Sequence, residues 1–159
     1  MRQLILLNIF LLSLTSCYNI KENNKQEYTP ELINLNGYEF SIDSYKGNVV
    51  FLNLWATWCK PCIAEFEDIS KAKKLFQNDS IKFIAISNES LNTIESFVKN
   101  NKYEIEFLKL NGDYSLYQAY GLPTTIIYDK FGKEAFRTSG MKKNQFTSNN
   151  FVNKIKKLL

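Results

Sequence analysis

Two cysteines three positions apart, Cys59-Lys60-Pro61-Cys62, are the residues of this chain best equipped for chemistry. They follow Val49–Trp55, a near-continuous apolar run of the kind that forms a strand buried on both faces. After them the apolar period becomes helical, with Ile63, Phe66, Ile69, Ala72 and Phe76 on one stripe. Cys59 therefore falls at a strand-to-helix junction. Unpaired N–H groups and a partial positive charge at a helix N-terminus favour thiolate over thiol. Lys60 adds positive charge, and Pro61 suits a first turn because it has no N–H to leave unpaired. Cys62 lies within reach on that turn as the more buried sulfur. One thiolate to attack a partner's disulfide and a second to resolve the mixed disulfide make the minimal machinery for exchange.

Composition removes most competing chemistry. The chain of 159 residues contains no histidine, which excludes Ser/His and Cys/His catalysis and any metal site that needs imidazole. Three cysteines, Cys17, Cys59 and Cys62, are too few for a closed thiolate zinc site or a disulfide scaffold. A structural disulfide closing one helical turn would constrain little chain entropy. No metal and no cofactor beyond the cysteine pair is expected. The net charge of +4 comes from Lys spread along the chain, and clusters such as Lys71–Lys74 and Lys154–Lys157 are broken at helical spacing. They read as solvated helix faces, not a nucleic-acid surface.

The elements that must position the pair can be placed by pattern. Apolar alternation around Asn36-Gly37 predicts a hairpin, and Ile81–Ser87 a second buried strand. Ser90 can cap a helix to about Asn101 that turns Leu91, Ile94, Phe97 and Val98 inward. A strand at Ile105–Leu110, a short helix at Tyr114–Ala119 and a strand at Thr124–Tyr128 follow. Glu134–Thr138 is the hairpin partner of that strand, and a last helix runs from about Gln145 to Leu159. Helices between core strands imply parallel crossovers, and the final hairpin adds antiparallel pairing. The expectation is an α/β domain: a mixed sheet with helices on both sides and an N-terminal hairpin extension.

Residues 1–16 read as an export signal. Arg2 precedes an apolar run, Leu4 to Leu14, too short to cross a bilayer, which takes about 20 apolar residues. The run ends in Leu14-Thr15-Ser16-Cys17, which resembles a bacterial lipobox, with Cys17 lipidated and N-terminal after cleavage. Residues 17–29 are polar and aperiodic, a flexible tether to a domain spanning 30–159. The address is extracytoplasmic, on a membrane.

Trp55-Ala-Thr-Trp-Cys-Lys-Pro-Cys after a buried strand, Gly121-Leu122-Pro123-Thr124-Thr125 before another and Asp129-Lys-Phe-Gly132 after it closely resemble the thioredoxin superfamily. The N-terminal hairpin, the extra helix and strand between Ser87 and Asp113, and Glu65 resemble its TlpA/ResA-like extracytoplasmic branch. The resemblance implies a thioredoxin-like fold and residue roles. Cys59 would be the attacking thiolate and Cys62 the resolving thiol. Pro123 would be cis and, with Leu122 and Thr124, present backbone to a substrate peptide. Trp58 would shield the sulfurs above a packed Trp55. Cytoplasmic thioredoxins carry an acid where this chain has Asn53, which cannot move a proton. The branch instead places a Glu one turn after the second Cys, at Glu65, where partial burial raises its pKa toward proton shuttling.

The reading is a thiol–disulfide oxidoreductase acting on exported protein thiols, for example those of apocytochrome c, fed by a transmembrane thiol donor. Three alternatives stand beside it. A peroxiredoxin-type peroxidase would use a Pro-x-x-x-Thr-x-x-Cys arrangement, which the residues before Cys59 do not supply. A disulfide oxidase or isomerase would use the same pair at another potential. A metal-binding lipoprotein of this fold would want a His, and the chain has none.

Overall fold

The computed structural model describes residues 31–77 and 79–159; the signal segment, Cys17 and the tether lie outside them. A seven-stranded mixed sheet has the order β2-β1-β5-β4-β3-β6-β7. Its strands are β1 (Glu31–Asn34), β2 (Glu39–Ser41), β3 (Val49–Leu54), β4 (Ile81–Ser87), β5 (Glu106–Leu110), β6 (Thr124–Tyr128) and β7 (Glu134–Ser139). β3, β4 and β5 are mutually parallel, and β6, β7, β1 and β2 add antiparallel pairs at the two sides. The α/β class and the mixed sheet stand as expected. The N-terminal hairpin forms where Asn36-Gly37 predicts it: Gly37 takes φ +82°, and Asn34 Oδ1 accepts from the N–H groups of Asn36 and Tyr38.

The α-helices among the described residues are α1 (Lys60–Leu75), α2 (Leu91–Asn100) and α3 (Asn149–Lys156). They do not cover both sides of the sheet. Phe66 and Ile69 of α1, Ile94 of α2, and Phe151 and Ile155 of α3 all pack with Phe51, Trp55, Phe83, Phe107 and Ile127, the residues of one sheet face. The reason is topological. From β3 to β4 to β5 the chain steps twice in the same direction, and two right-handed crossovers in one direction put both helices on one side. The opposite face, with Leu52, Leu54, Ile84, Ile86, Leu108 and Ile126, is covered by the 3₁₀ turns Ile42–Tyr45 and Tyr114–Tyr117 and their neighbours.

Two elements differ from the sequence reading by more than a residue at an end. The segment after Asp113 makes a 3₁₀ turn over Tyr114–Tyr117, because Gln118 takes a left-handed φ of 51° and ends it. The last helix begins at Asn149, since Ser148 caps it by accepting the N–H of Phe151. The preceding residues are held otherwise: Asn144 has φ 54°, and Asp68 of α1 accepts the N–H of Phe146 and the hydroxyl of Thr147. Phe146 is thereby buried edge-on against Phe51.

Candidate active site

Every residue of β3 is buried, and the strand discharges into the loop Trp55–Trp58 at its C-terminal end, inside the sheet between β4 and β6. Cys59 caps α1. Its backbone N–H bonds to the carbonyl of Ala56 at 3.0 Å, and its sulfur accepts the N–H of Cys62 at 3.3 Å. A free donor of the first helical turn is thus aimed at the outer sulfur, where it favours negative charge. Cys59 and Cys62 are bonded as a disulfide with Cα atoms 5.3 Å apart. Cys59 keeps 5% of its surface exposed and Cys62 none, so only the first sulfur can be approached from outside. Lys60 and Pro61 occupy the first helical positions and are exposed.

The loop is clamped from β4. Glu89, two residues beyond that strand, accepts the backbone N–H of Thr57 and its hydroxyl, each at 2.7 Å. Ser87 donates to the same carboxylate at 3.0 Å. The Tyr114 hydroxyl donates to the carbonyl of Trp55 and accepts the N–H of Asn88. Sequence reasoning did not single out Glu89, Ser87 or Tyr114. The pairing of β3 with β4 brings Glu89 to Thr57 across 32 positions, and the 3₁₀ turn after β5 brings Tyr114 to Trp55 across 59.

One helical turn along α1 from Cys62, three buried polar side chains meet from three elements. Asn53 of β3 donates through Nδ2 to Glu65 of α1 and to Thr125 Oγ1 of β6, both at 3.0 Å. Glu65 is only 2% exposed, one helical turn after Cys62. Burial pushes its carboxyl up to about 7; the Asn53 hydrogen bond opposes this and the charge of Asp68 adds to it. A carboxyl that titrates near neutrality beside a buried thiol is able to accept and return a proton. Thr125 is a further residue that sequence reasoning passed over.

Pro123 stands at the same pole. Thr124 pairs with Leu54 at the end of β3, and the Leu122–Pro123 peptide is cis. The Thr124 hydroxyl donates to the carbonyl of Gly121, closing the loop on itself. The backbone of Pro123 has no N–H to give, and its carbonyl already accepts from Gly140 at 2.9 Å. Trp58 leaves 71% of its surface in solvent and Tyr120 87%, whereas Trp55 is fully buried among Phe66, Phe97 and Phe107. Trp58 is thus an exposed aromatic beside Cys59 in sequence, not a packed lid.

Among the described residues no group of three or more His, Cys, Asp or Glu side chains could hold a metal ion. None of the described helices is long and apolar enough to cross a membrane.

The profile of the AhpC/TSA family matches residues 25–137, well over half of the sequence. The chain belongs to the AhpC/TSA family. Within the thioredoxin superfamily its similarity runs to ResA-type proteins. Over 107 residues it is 33% identical to the thiol-disulfide oxidoreductase ResA of Geobacillus thermodenitrificans (strain NG80-2), covering 64% of this chain and 60% of that one. Over 103 residues it is 34% identical to ResA of Bacillus subtilis (strain 168), covering 62% and 56%. The alignments thus span less than two thirds of those relatives. The fold is that of the exposed lipoprotein thioredoxin of Streptococcus pneumoniae strain TIGR4, with a TM-score of 0.62 at 22% identity over 79% of this chain and 99% of that one. A DsbE-named thiol:disulfide interchange protein from Chlorobium tepidum gives a TM-score of 0.72 at 19% identity over 83% and 94%. In this AhpC/TSA member the position three before Cys59 is Ala56, which has no hydroxyl, and the one hydroxyl of the loop, on Thr57, is given to Glu89.

Proposed function

We propose that the protein is a thiol–disulfide oxidoreductase that reduces disulfides in exported proteins through Cys59 and Cys62. One observation carries this reading: a helix-capping Cys59 sulfur receives the N–H of Cys62, whose own sulfur is sealed beside the near-neutral carboxyl of Glu65. In the reduced form the Cys59 thiolate attacks a partner disulfide. A mixed disulfide forms and one partner thiolate leaves. Cys62 then gives its proton to Glu65 and attacks Cys59 Sγ, which releases the second partner thiolate and forms the Cys59–Cys62 disulfide. Two electrons pass to the partner, and an external dithiol must return them. Lys60 and Pro61 shape the first turn, Trp58 offers an apolar surface, and Leu122, held by Pro123 and Thr124, offers backbone to an extended peptide.

The site of action is extracytoplasmic, on a membrane, with lipid on Cys17 and residues 17–29 as tether to the domain 30–159. The lipobox-like Leu14–Cys17 supports this, as does the likeness to a structure named for an exposed lipoprotein thioredoxin. Apocytochrome c thiols are an expected substrate and a transmembrane thiol carrier the expected donor; the relatives named thiol-disulfide oxidoreductase support a disulfide-exchange reaction. No dissociable cofactor is required, since the disulfide itself carries the electrons.

Titration of the protein in graded thiol buffers, read by alkylation of Cys59 and Cys62, tests the direction of flow. A potential near about −270 mV or lower fits a reductase; a value near about −120 mV makes it an oxidant of exported proteins instead. A pair that never cycles removes the enzyme reading. Peroxide consumption is expected to be negligible, because no loop hydroxyl stands free to polarise a peroxide.

A further inference from the structure

Asn53, Glu65 and Thr125 are at most 2% exposed and form one hydrogen-bonded group of buried polar side chains, with Glu65 one helical turn after Cys62. The Asn53 amide spends both N–H groups, one on Glu65 and one on Thr125, while its Oδ1 has no hydrogen-bond partner. The N–H given to Glu65 stabilises an ionised carboxylate, and the one given to Thr125 holds the amide in that orientation. When Glu65 takes a proton, that donor faces an O–H, which needs an acceptor instead. Rotating the amide by half a turn brings Oδ1 to the same place, where it accepts from Glu65 and, with the hydroxyl hydrogen turned round, from Thr125. Asn53 and Thr125 can therefore complement both states of the acid, which an apolar pair could not; the turned amide leaves its Nδ2 where Oδ1 now stands unpaired.

We infer that Asn53 and Thr125 form an amide–hydroxyl switch that serves Glu65 in both protonation states but holds the carboxylate more strongly, through a charge-assisted N–H, and thereby sets the pH at which Cys62 is activated. This rests on Glu65 as the proton acceptor for Cys62. The proton balance closes within the site: Cys62 S–H loses its proton to the Glu65 carboxylate, the thiolate attacks Cys59 Sγ, and the protonated carboxyl is held by Asn53 Oδ1 until it discharges. A cleft of about 350 Å³ between α1 and residues 141–144 has Glu65 in its lining, which brings solvent close to an acid that is itself only 2% exposed. The charged groups that line this cleft with Glu65 are Asp68, Lys142, Lys143 and the ion-paired Glu67 and Lys71, and Asp68 acts on its charge; from β3 and β6 the neutral Asn53 and Thr125 complete the hydrogen-bonded group. Both are positioning residues, acting on Cys62 through Glu65.

The test follows the resolution step in the full-length protein: release of a fluorescent thiol from a mixed disulfide on Cys59, measured from pH 5 to 9. The wild type is expected to show a midpoint near neutrality that Glu65→Gln abolishes. Asn53→Leu removes the donor to the carboxylate and is expected to raise the midpoint by about one pH unit, a tenfold change in ionisation. Thr125→Val removes one oxygen, leaves the amide without its second anchor and raises the midpoint by less; it keeps the test alive should Asn53→Leu fail to fold. Midpoints unmoved in every folded variant of Asn53 and Thr125, with Glu65→Gln still flat, overturn the switch and leave Glu65 in place. A midpoint that survives Glu65→Gln shows another group moving the proton and overturns both.

Discussion

Glu89 holds Thr57 twice, with one carboxylate oxygen on its backbone N–H and the other on its hydroxyl, each at 2.7 Å. The turn after β4 thereby fixes the loop that delivers Trp58 and Cys59, and Ser87 braces the carboxylate from behind. Charge-assisted bonds of this kind contribute more than neutral ones.

Glu89→Ala leaves the Thr57 donors without their partner and is expected to cost roughly 1–3 kcal/mol in urea denaturation. It should also slow disulfide reduction, because the loop before Cys59 loses its anchor. Glu89→Gln keeps one acceptor and a donor in the same shape. It should therefore recover most of the stability, and equal losses in the two variants would argue that the charge, not the clamp, is what matters.

Much of this arrangement was legible in the chain and some of it could not have been. The buried strand before Cys59 and the strand Thr124–Tyr128 were readable because unbroken apolar runs have few other uses. The placement of all three helices on one face was not, since that depends on the order in which β3, β4 and β5 lie side by side. Asn53 and Thr125 are 72 residues apart, and nothing local marks a threonine in a strand as the partner of a buried amide. Asp68 is a similar case. It reads as an ordinary polar face of α1, yet it secures Phe146 and so delays the start of α3.

Glu65 gives stability a pH dependence of known sign. Its carboxyl titrates at about 7 in the folded protein against an ordinary 4.5, so the folded state binds the proton more tightly than the unfolded chain. Its contribution is full below about 4.5 and is lost as the pH rises to about 7. About two and a half pH units at 1.36 kcal/mol each come to roughly 3 kcal/mol. Glu65→Gln is therefore expected to be more stable than the wild type at pH 8, by up to that amount, and near equal to it at pH 4. Denaturation of the disulfide-bonded proteins at both pH values checks this. A variant that gains stability while resolving mixed disulfides more slowly fits a group kept for chemistry at a cost in stability.

The two tryptophans should separate packing from recognition. Trp55 meets Phe66, Phe97 and Phe107 at ring distances of 5.1, 4.6 and 5.3 Å and is fully buried. Trp55→Ala should cost about 3–5 kcal/mol by thermal or urea denaturation. Trp58→Ala, at a mostly exposed position, should change stability by less than about 0.5 kcal/mol. Its effect should appear in the rate with a protein disulfide and hardly at all with a small disulfide. An equal loss with both would place Trp58 in the chemistry of the pair instead.

The difference in burial between the two sulfurs predicts which cysteine a substrate meets first. Cys59 keeps a small exposed surface and receives the Cys62 N–H, while Cys62 is closed off beside Glu65. Cys62→Ser removes the resolving thiol but leaves the approachable one, so it should accumulate a covalent adduct with a disulfide-containing protein. Cys59→Ser leaves a thiol that a partner cannot reach, so it should accumulate little. The measurement is a non-reducing gel followed by peptide mapping of the trapped bond, carried out with Cys17 blocked. Adducts mapped to Cys62, or formed equally by both variants, would reverse the assigned order and require the site to open before attack.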